Sequence, residues 1–216
     1  MWLFEDNHLL ALNKPAGLLS QADSTGDPDI LALAKEYIKE KYNKPGNVFI
    51  GLVHRLDRPT SGAMVLARTS KAARRLSKKF RERSIKKKYV ALVEGQLRGS
   101  GTMEDYLLKG ADRARVTGTS KIGKYASLKW NSVKYNERFT LVSIELITGR
   151  AHQIRCQFSN RGFPVLGDTR YGAHFLFNEP GRIALHCQRL HFQHPVKKCM
   201  VDVEAEIPDF WDYYRI

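Results

Sequence analysis

The sequence predicts an α+β fold, a mixed, mainly antiparallel sheet with a few helices. Three observations predict it. Two stretches carry apolar residues at three- and four-residue spacing, the mark of amphipathic helices. The second half of the chain is dominated by strand-like runs of aromatic and β-branched residues. Neither an internal repeat nor a low-complexity linker divides the 216 residues, so residues 1–216 are expected to form one domain. That length buries a proper core without disulfides or metals.

The elements follow in order. Leu9–Asn13 reads as a short buried strand, stopped by Lys14-Pro15 and Gly17. Asp27-Pro28-Asp29 opens a helix that runs to about Tyr42, with Leu31, Ala34, Ile38 and Tyr42 on one face. Asn43-Lys44-Pro45-Gly46-Asn47 ends it. Val48–Val53 is strand-like, His54–Thr60 a loop and Ala63–Ala67 a second short strand. Thr69 or Ser70 caps the next helix, which places Ala72, Ala73, Leu76 and Phe80 together. Lys88–Glu94 is a strand, and Gly95, Gly99 and Gly101 mark turns. Tyr125–Tyr135 and Arg138–Ile147 form a hairpin around Asn136-Glu137. Arg150–Asn160 is a helix on which His152 and Arg155 share a face. Ile183–Phe192 and Met200–Glu206 are further strands.

Composition narrows the class. The net charge is +14, which calls for a polyanionic partner. It is concentrated: Arg68–Lys88 holds eleven Lys and Arg against the single acid Glu82. A solvated helix face is the plain explanation, but solubility needs no such concentration. Cys156, Cys187 and Cys199 make an odd count without a C-x-x-C pair, which favours a reducing compartment, the cytoplasm. No apolar run approaches the ~18 residues of a membrane helix, and the N-terminus lacks the features of a secretory signal. His186, His191 and His194 are spaced so that they do not share a strand face, and no Cys or carboxylate pattern completes a metal site.

The block richest in chemistry is Val53-His54-Arg55-Leu56-Asp57-Arg58-Pro59-Thr60-Ser61-Gly62, a carboxylate between two arginines in a loop. A lone Asp is ordinarily a turn or cap residue. A second block, Thr148-Gly149-Arg150-Ala151-His152-Gln153-Ile154-Arg155, supplies a guanidinium that would hold Asp57 ionised if the two meet.

These blocks resemble the RluA family of RNA pseudouridine synthases. Asn13-Lys14-Pro15-Ala16-Gly17 is similar to its first motif, and His54-Arg55-Leu56-Asp57 with Thr60-Ser61-Gly62 to its catalytic motif. Lys88-Tyr89 resembles the tyrosine element. Gly149–Arg155 with Gly167-Asp168 and Tyr171-Gly172 resembles the third motif. Leu185-His186, Leu190 and His194-Pro195 resemble the C-terminal element. The blocks stand in the family's order along nearly the whole chain.

The resemblance implies a bisected sheet flanked by helices, with the active cleft across its middle. It implies isomerisation of uridine in folded ribosomal or transfer RNA, by a monomer without cofactor. Asp57 would be the catalytic carboxylate, acting as nucleophile at C1′ or as base at C2′. Arg155 would pair with Asp57, Tyr89 would stack on the uracil and assist proton removal from C5, and Ile154 would pack on its other side. Arg55 would fill the gap left by the extruded nucleotide. Many members carry a small RNA-binding domain before the catalytic one, and the chain is expected to lack it. Substrate choice then falls to the basic helix and Ala111–Lys124. The alternative is a catalytically idle RNA-binding or RNA-folding protein on the same scaffold, but a pure binder has no use for Asp57, Tyr89 and Arg155 together.

Overall fold

Two helix starts follow from side-chain chemistry. Asp29 Oδ1 accepts the amides of Leu31 and Ala32 and opens α1 (Ile30–Lys41); Thr69 accepts the amide of Ala72 and opens α2 (Ser70–Arg81). α1 buries Ile30, Ala34 and Ile38, and α2 buries Ala72 and Leu76. Both helices belong to the first of two compact units, Met1–Ile85 with Arg189–Glu206. The computed structural model describes residues 1–111, 113–177 and 181–214. Asp112, within the stretch expected to bear on substrate choice, lies outside them.

In the first unit β1 (Trp2–Glu5) runs antiparallel to β2 (Leu9–Lys14), and β2 antiparallel to β4 (Ser61–Ala67). Every residue of β4 and all but one of β2 are buried, so these strands read as continuous small and apolar runs rather than alternating ones. The strand expected over Val48–Val53 shrinks to β3 (Gly51–Leu52), which pairs only with Ala67 and Leu66 at the end of β4. Gly51 sits against Ala73 of α2, where an added Cβ would lie 2.9 Å from that residue's Cβ. β1 was not foreseen from the sequence; its Trp2 ring stacks on Tyr37 of α1 at 4.5 Å. Glu5 fastens β1 to its surroundings. It accepts from Arg68 (2.8 Å), Lys41 (2.7 Å), Tyr37 (2.9 Å) and Tyr42.

The second unit runs from Lys86 to Gln188 and includes the C-terminal residues from Ile207. Its strands are β5 (Lys86–Glu94), β6 (Ser100–Lys109), β7 (Ala114–Thr117), β8 (Lys124–Tyr135) and β9 (Phe139–Leu146). They lie in the order β5-β9-β8-β6-β7, each neighbour antiparallel. The β8–β9 hairpin matches expectation, its turn fixed by Asn136 Oδ1, which accepts the amides of Arg138 and Phe139. β6 and β7 were unforeseen: exposed charged and polar residues interrupt the alternation. β10 (Leu185–Gln193) begins in this unit; its Arg189–Gln193 half belongs to the first and pairs with β11 (Met200–Glu204).

The histidines serve packing. His186 is buried, with its ring edge toward Trp211. His194 Nδ1 accepts the amides of Val196 and Lys197, so its proton sits on Nε2, facing Asp6 at 3.1 Å. Burial pushes His194 below its usual value, consistent with the neutral ring. Half-buried His191 lies 3.5 Å from Asp202. Among the described residues no group of His, Cys, Asp and Glu is placed to hold a metal ion.

Candidate active site

The loop bearing Asp57 is pinned on both sides. His54 stacks on Phe80 of α2 at 4.4 Å, and its Nε2 accepts the amide of Val65 in β4. Leu56 is buried, and its amide and carbonyl both bond the Ser20 hydroxyl, at 3.2 and 2.7 Å. Downstream, the Thr60 amide donates to the Asp57 carbonyl at 3.0 Å, closing a turn. Between these anchors Arg55 is exposed and Asp57 half-buried. Thr60 Oγ1 is buried without a hydrogen-bond partner among the described residues.

The segment Lys14–Leu18 clips this loop at Arg58. Lys14 is wholly buried, and its Nζ donates to the carbonyls of Pro15 (2.9 Å), Leu18 (2.7 Å) and Arg58 (3.1 Å). The Gly17 amide reaches the same Arg58 carbonyl, and Arg58 Nε returns a bond to the Gly17 carbonyl. Gly17 has φ +89°, a left-handed geometry natural to glycine. Burial pushes the Lys14 ammonium down to about 7; Asp57 pulls it up, and Arg58 adds to the depression. Three carbonyls require three N–H donors, which only the ammonium has, so the cage favours the charged form. Lys14 was given no role of its own from the sequence, although it stands in the block similar to the family's first motif, at the end of an apolar strand.

The other expected residues lie in the second unit. Tyr89 is on β5, 7% exposed, and its hydroxyl meets the Cys187 thiol. Burial pushes that thiol up to about 12 against the hydrogen bond from Tyr89 and the charge of Lys87. Ile154 and Arg155 are consecutive in α3 (Gln153–Ser159), both buried. The helix begins later than expected because Gly149–Ala151 remain outside it and His152 precedes it at φ +53°.

A chain of amides roots α3. Gln153 Oε1 accepts from Thr148 Oγ1 and the Arg150 amide, while its Nε2 reaches the Ser127 carbonyl and Gln157 Oε1. Gln157 Nε2 continues to the Met103 carbonyl and Asp105. Arg155 is thereby presented to Asp168 in a two-pronged fork, Nε to Oδ2 at 2.6 Å and Nη2 to Oδ1 at 2.8 Å. The side chains are 4% and 1% exposed. The Tyr171 ring lies 4.9 Å from the guanidinium carbon, and its hydroxyl meets His152 Nδ1 at 3.0 Å. The expected common face of His152 and Arg155 is therefore the face that Tyr171 covers. Asp168 and Tyr171 had no individual role assigned from sequence, although both stand in the block that carries Arg155.

Residues 8–160 match the family model described as RNA pseudouridylate synthase. An uncharacterised RNA pseudouridine synthase of Bacillus subtilis is 37% identical over 213 residues, covering 95% of this chain and 68% of that protein. A ribosomal large subunit pseudouridine synthase C of Buchnera aphidicola is 34% identical, covering 96% and 67%. A tRNA pseudouridine synthase C of Haemophilus ducreyi is 32% identical, covering 97% and 91%. Among solved structures, human RNA Pseudouridylate Synthase Domain Containing 4 superposes with TM-score 0.81 at 22% identity, over 98% of this chain and 90% of that one. At that identity the likeness speaks for the fold.

Proposed function

Because the chain belongs to the RNA pseudouridylate synthase family and is an isomerase of that class, we propose that it converts particular uridines of ribosomal or transfer RNA to pseudouridine, with Asp57 as the catalytic carboxylate. The observation that carries the assignment is the mounting of Asp57. The residues on either side of it are anchored by Ser20, Lys14, Gly17 and Thr60, while the carboxylate itself remains half-buried. A pinned loop supplies the preorganised charge that glycosidic cleavage demands.

The reaction breaks the bond from N1 to C1′, turns the uracil and joins C5 to C1′, with the C5 proton leaving. The sugar centre gains positive character, which Asp57 stabilises directly, traps at C1′ or relieves by taking the C2′ proton. Arg155, itself fixed by Asp168, serves Asp57 as its cationic partner. Tyr89 and Ile154 hold the uracil from its two sides, and Tyr89 assists removal of the C5 proton. Arg55 fills the space left when the nucleotide is flipped from its stack. The chain acts as a single catalytic domain and as a monomer, and it needs no cofactor, since nothing is oxidised and no group passes to a second molecule. The three thiols suit a reducing cytoplasm.

The relatives named for both ribosomal and transfer RNA set the test. RNA labelled with tritium at uridine C5 is prepared as separate ribosomal and transfer pools. The wild-type protein should release tritium from one of them. Asp57→Asn should release none while binding RNA as before. Substantial release by that variant would remove Asp57 from the chemistry.

A further inference from the structure

A groove of about 1090 Å³ lies in the second unit between β7, α3 and the turn at Thr169–Tyr171. That is at the upper end of the roughly 300–1,000 Å³ of ligand pockets, room enough for a polymer segment. Its floor is uncharged: Ala114, Val116, Cys156 and Tyr171. All but Val116 belong to a small buried cluster, against which Val116 packs. Burial pushes the Cys156 thiol up to about 11 and the Tyr171 hydroxyl to about 12, so neither ionises near neutrality.

The rim is basic and polar. Arg113 and Arg115 flank Ala114 along the chain; both line the groove and both are exposed. Arg113 Nη1 reaches the Arg170 carbonyl at 3.5 Å; neither Arg113 nor Arg115 is ion-paired with a described carboxylate. Ser159 and Asn160, at the end of α3, add neutral hydrogen-bonding groups. None of the described lining residues is acidic. An uncharged floor under a rim of two exposed arginines suits a sugar–phosphate strand with its phosphates at the arginines.

One residue ties the groove to the site. Tyr171 lines the groove, accepts the Ala114 amide of β7 at 2.7 Å and covers the Arg155 guanidinium at 4.9 Å. A strand lying in the groove is thus one ring away from Arg155.

We propose that this groove binds the sugar–phosphate backbone of the RNA segment flanking the target uridine, with Arg113 and Arg115 on its phosphates. The proposal rests on the reading of the chain as an RNA pseudouridine synthase and adds a binding site to it. The test uses the full chain and a 5′-labelled RNA stem–loop with uridines in its loop, its affinity measured across a KCl series. Arg113→Ala with Arg115→Ala should lower the slope of log affinity against log salt by about 1.4, two contacts at ~0.7 each. Lys134→Ala with Arg138→Ala removes the same charge around the β8–β9 turn and should leave the slope unchanged. Asn160→Asp removes no arginine but puts a carboxylate into the groove, and it should weaken binding as well. An unchanged slope in the first variant, or an equal fall in the Lys134–Arg138 control, overturns the proposal. Tritium release by the wild type is read in parallel. If the wild type releases none from any RNA but the groove variant still loses its slope, the catalytic reading fails and the groove stands.

Discussion

At the scale of single residues, each unit holds a buried cation beside an expected site residue, and the two are held by different chemistry. Lys14 faces three carbonyls, and Arg155 meets the Asp168 carboxylate through a fork. Removing Asp168 takes the anion from the fork, and breaking a buried pair costs more than the pair contributes. Asp168→Ala should therefore lower stability by about 3–5 kcal/mol, read from urea midpoints at constant slope. In the fraction that folds, kcat/KM should fall by about tenfold or more, equivalent to roughly 1.4 kcal/mol of transition-state stabilisation. Asp168→Asn, which keeps the shape and part of the hydrogen bonding, should lose less stability than Asp168→Ala. Equal losses in the two variants would show that packing rather than charge governs the position. Asp57 and Arg155 stood out in the sequence because arginines crowd a short motif. Lys14 and Asp168 stood in the family blocks but drew no role of their own: a lysine after a strand and an aspartate after a glycine look like surface turn residues, and only tertiary contacts bury them.

At the scale of elements, α2 shows what spacing reveals and what it leaves hidden. Its apolar stripe and its cap are legible, since both depend on residues within one or two turns. The division of its cations is not. Arg75 donates to the Pro195 carbonyl and Lys79 to Gln193, contacts reaching more than a hundred residues along the chain. Arg74, Lys78 and Arg81 remain on the exposed side, at helical spacing. If that face meets RNA, neutralising these three together should weaken binding and flatten the salt slope by up to ~2 units, while turnover at saturating RNA changes little. Neutralising Arg75 and Lys79 should instead act chiefly on stability. A solubility role for the helix predicts an unchanged slope in the triple variant, which a salt titration distinguishes. β6 and β7 were hidden for the opposite reason. Their strand character comes from partners in β8 and from the turn at Tyr171, whereas their own residues are largely charged, polar or glycine. α3 falls between these cases. Its apolar pair Ile154 and Phe158 announces a helix, but its late start is set by the bonds of Gln153 to Arg150, Thr148 and Ser127.

At the scale of the whole molecule, the excess of 36 lysines and arginines over 22 acids makes the protein sensitive to acid. Each carboxylate that protonates adds to a net charge already at +14, and self-repulsion grows with it. The carboxylates that matter first are those the fold stabilises in ionised form. For Glu5 burial favours the neutral acid, yet Lys41, Tyr42, Tyr37 and Arg68 together overcome it and bring the group to about 2 from 4.5. Asp6, similarly opposed by burial, is brought to about 2 from 3.8 by Lys197, the amides of His8 and Leu9, and His194. A carboxylate whose folded value lies below its unfolded value binds fewer protons when folded. Its contribution is complete above the unfolded value and is lost as the pH falls toward the folded one. Stability measured by urea unfolding should thus hold above about pH 5 and decline steadily between pH 5 and 2. Glu5→Gln should lower stability at pH 7 by about 1–2 kcal/mol, after allowance for solvent screening. It should also flatten the decline between pH 5 and 3, because the variant has no proton to take up at that position. If the mutant and wild-type curves stay parallel down to pH 3, Glu5 is not linked to folding. In that case the acid sensitivity belongs to the general excess of positive charge, and added salt should relieve it equally in both proteins.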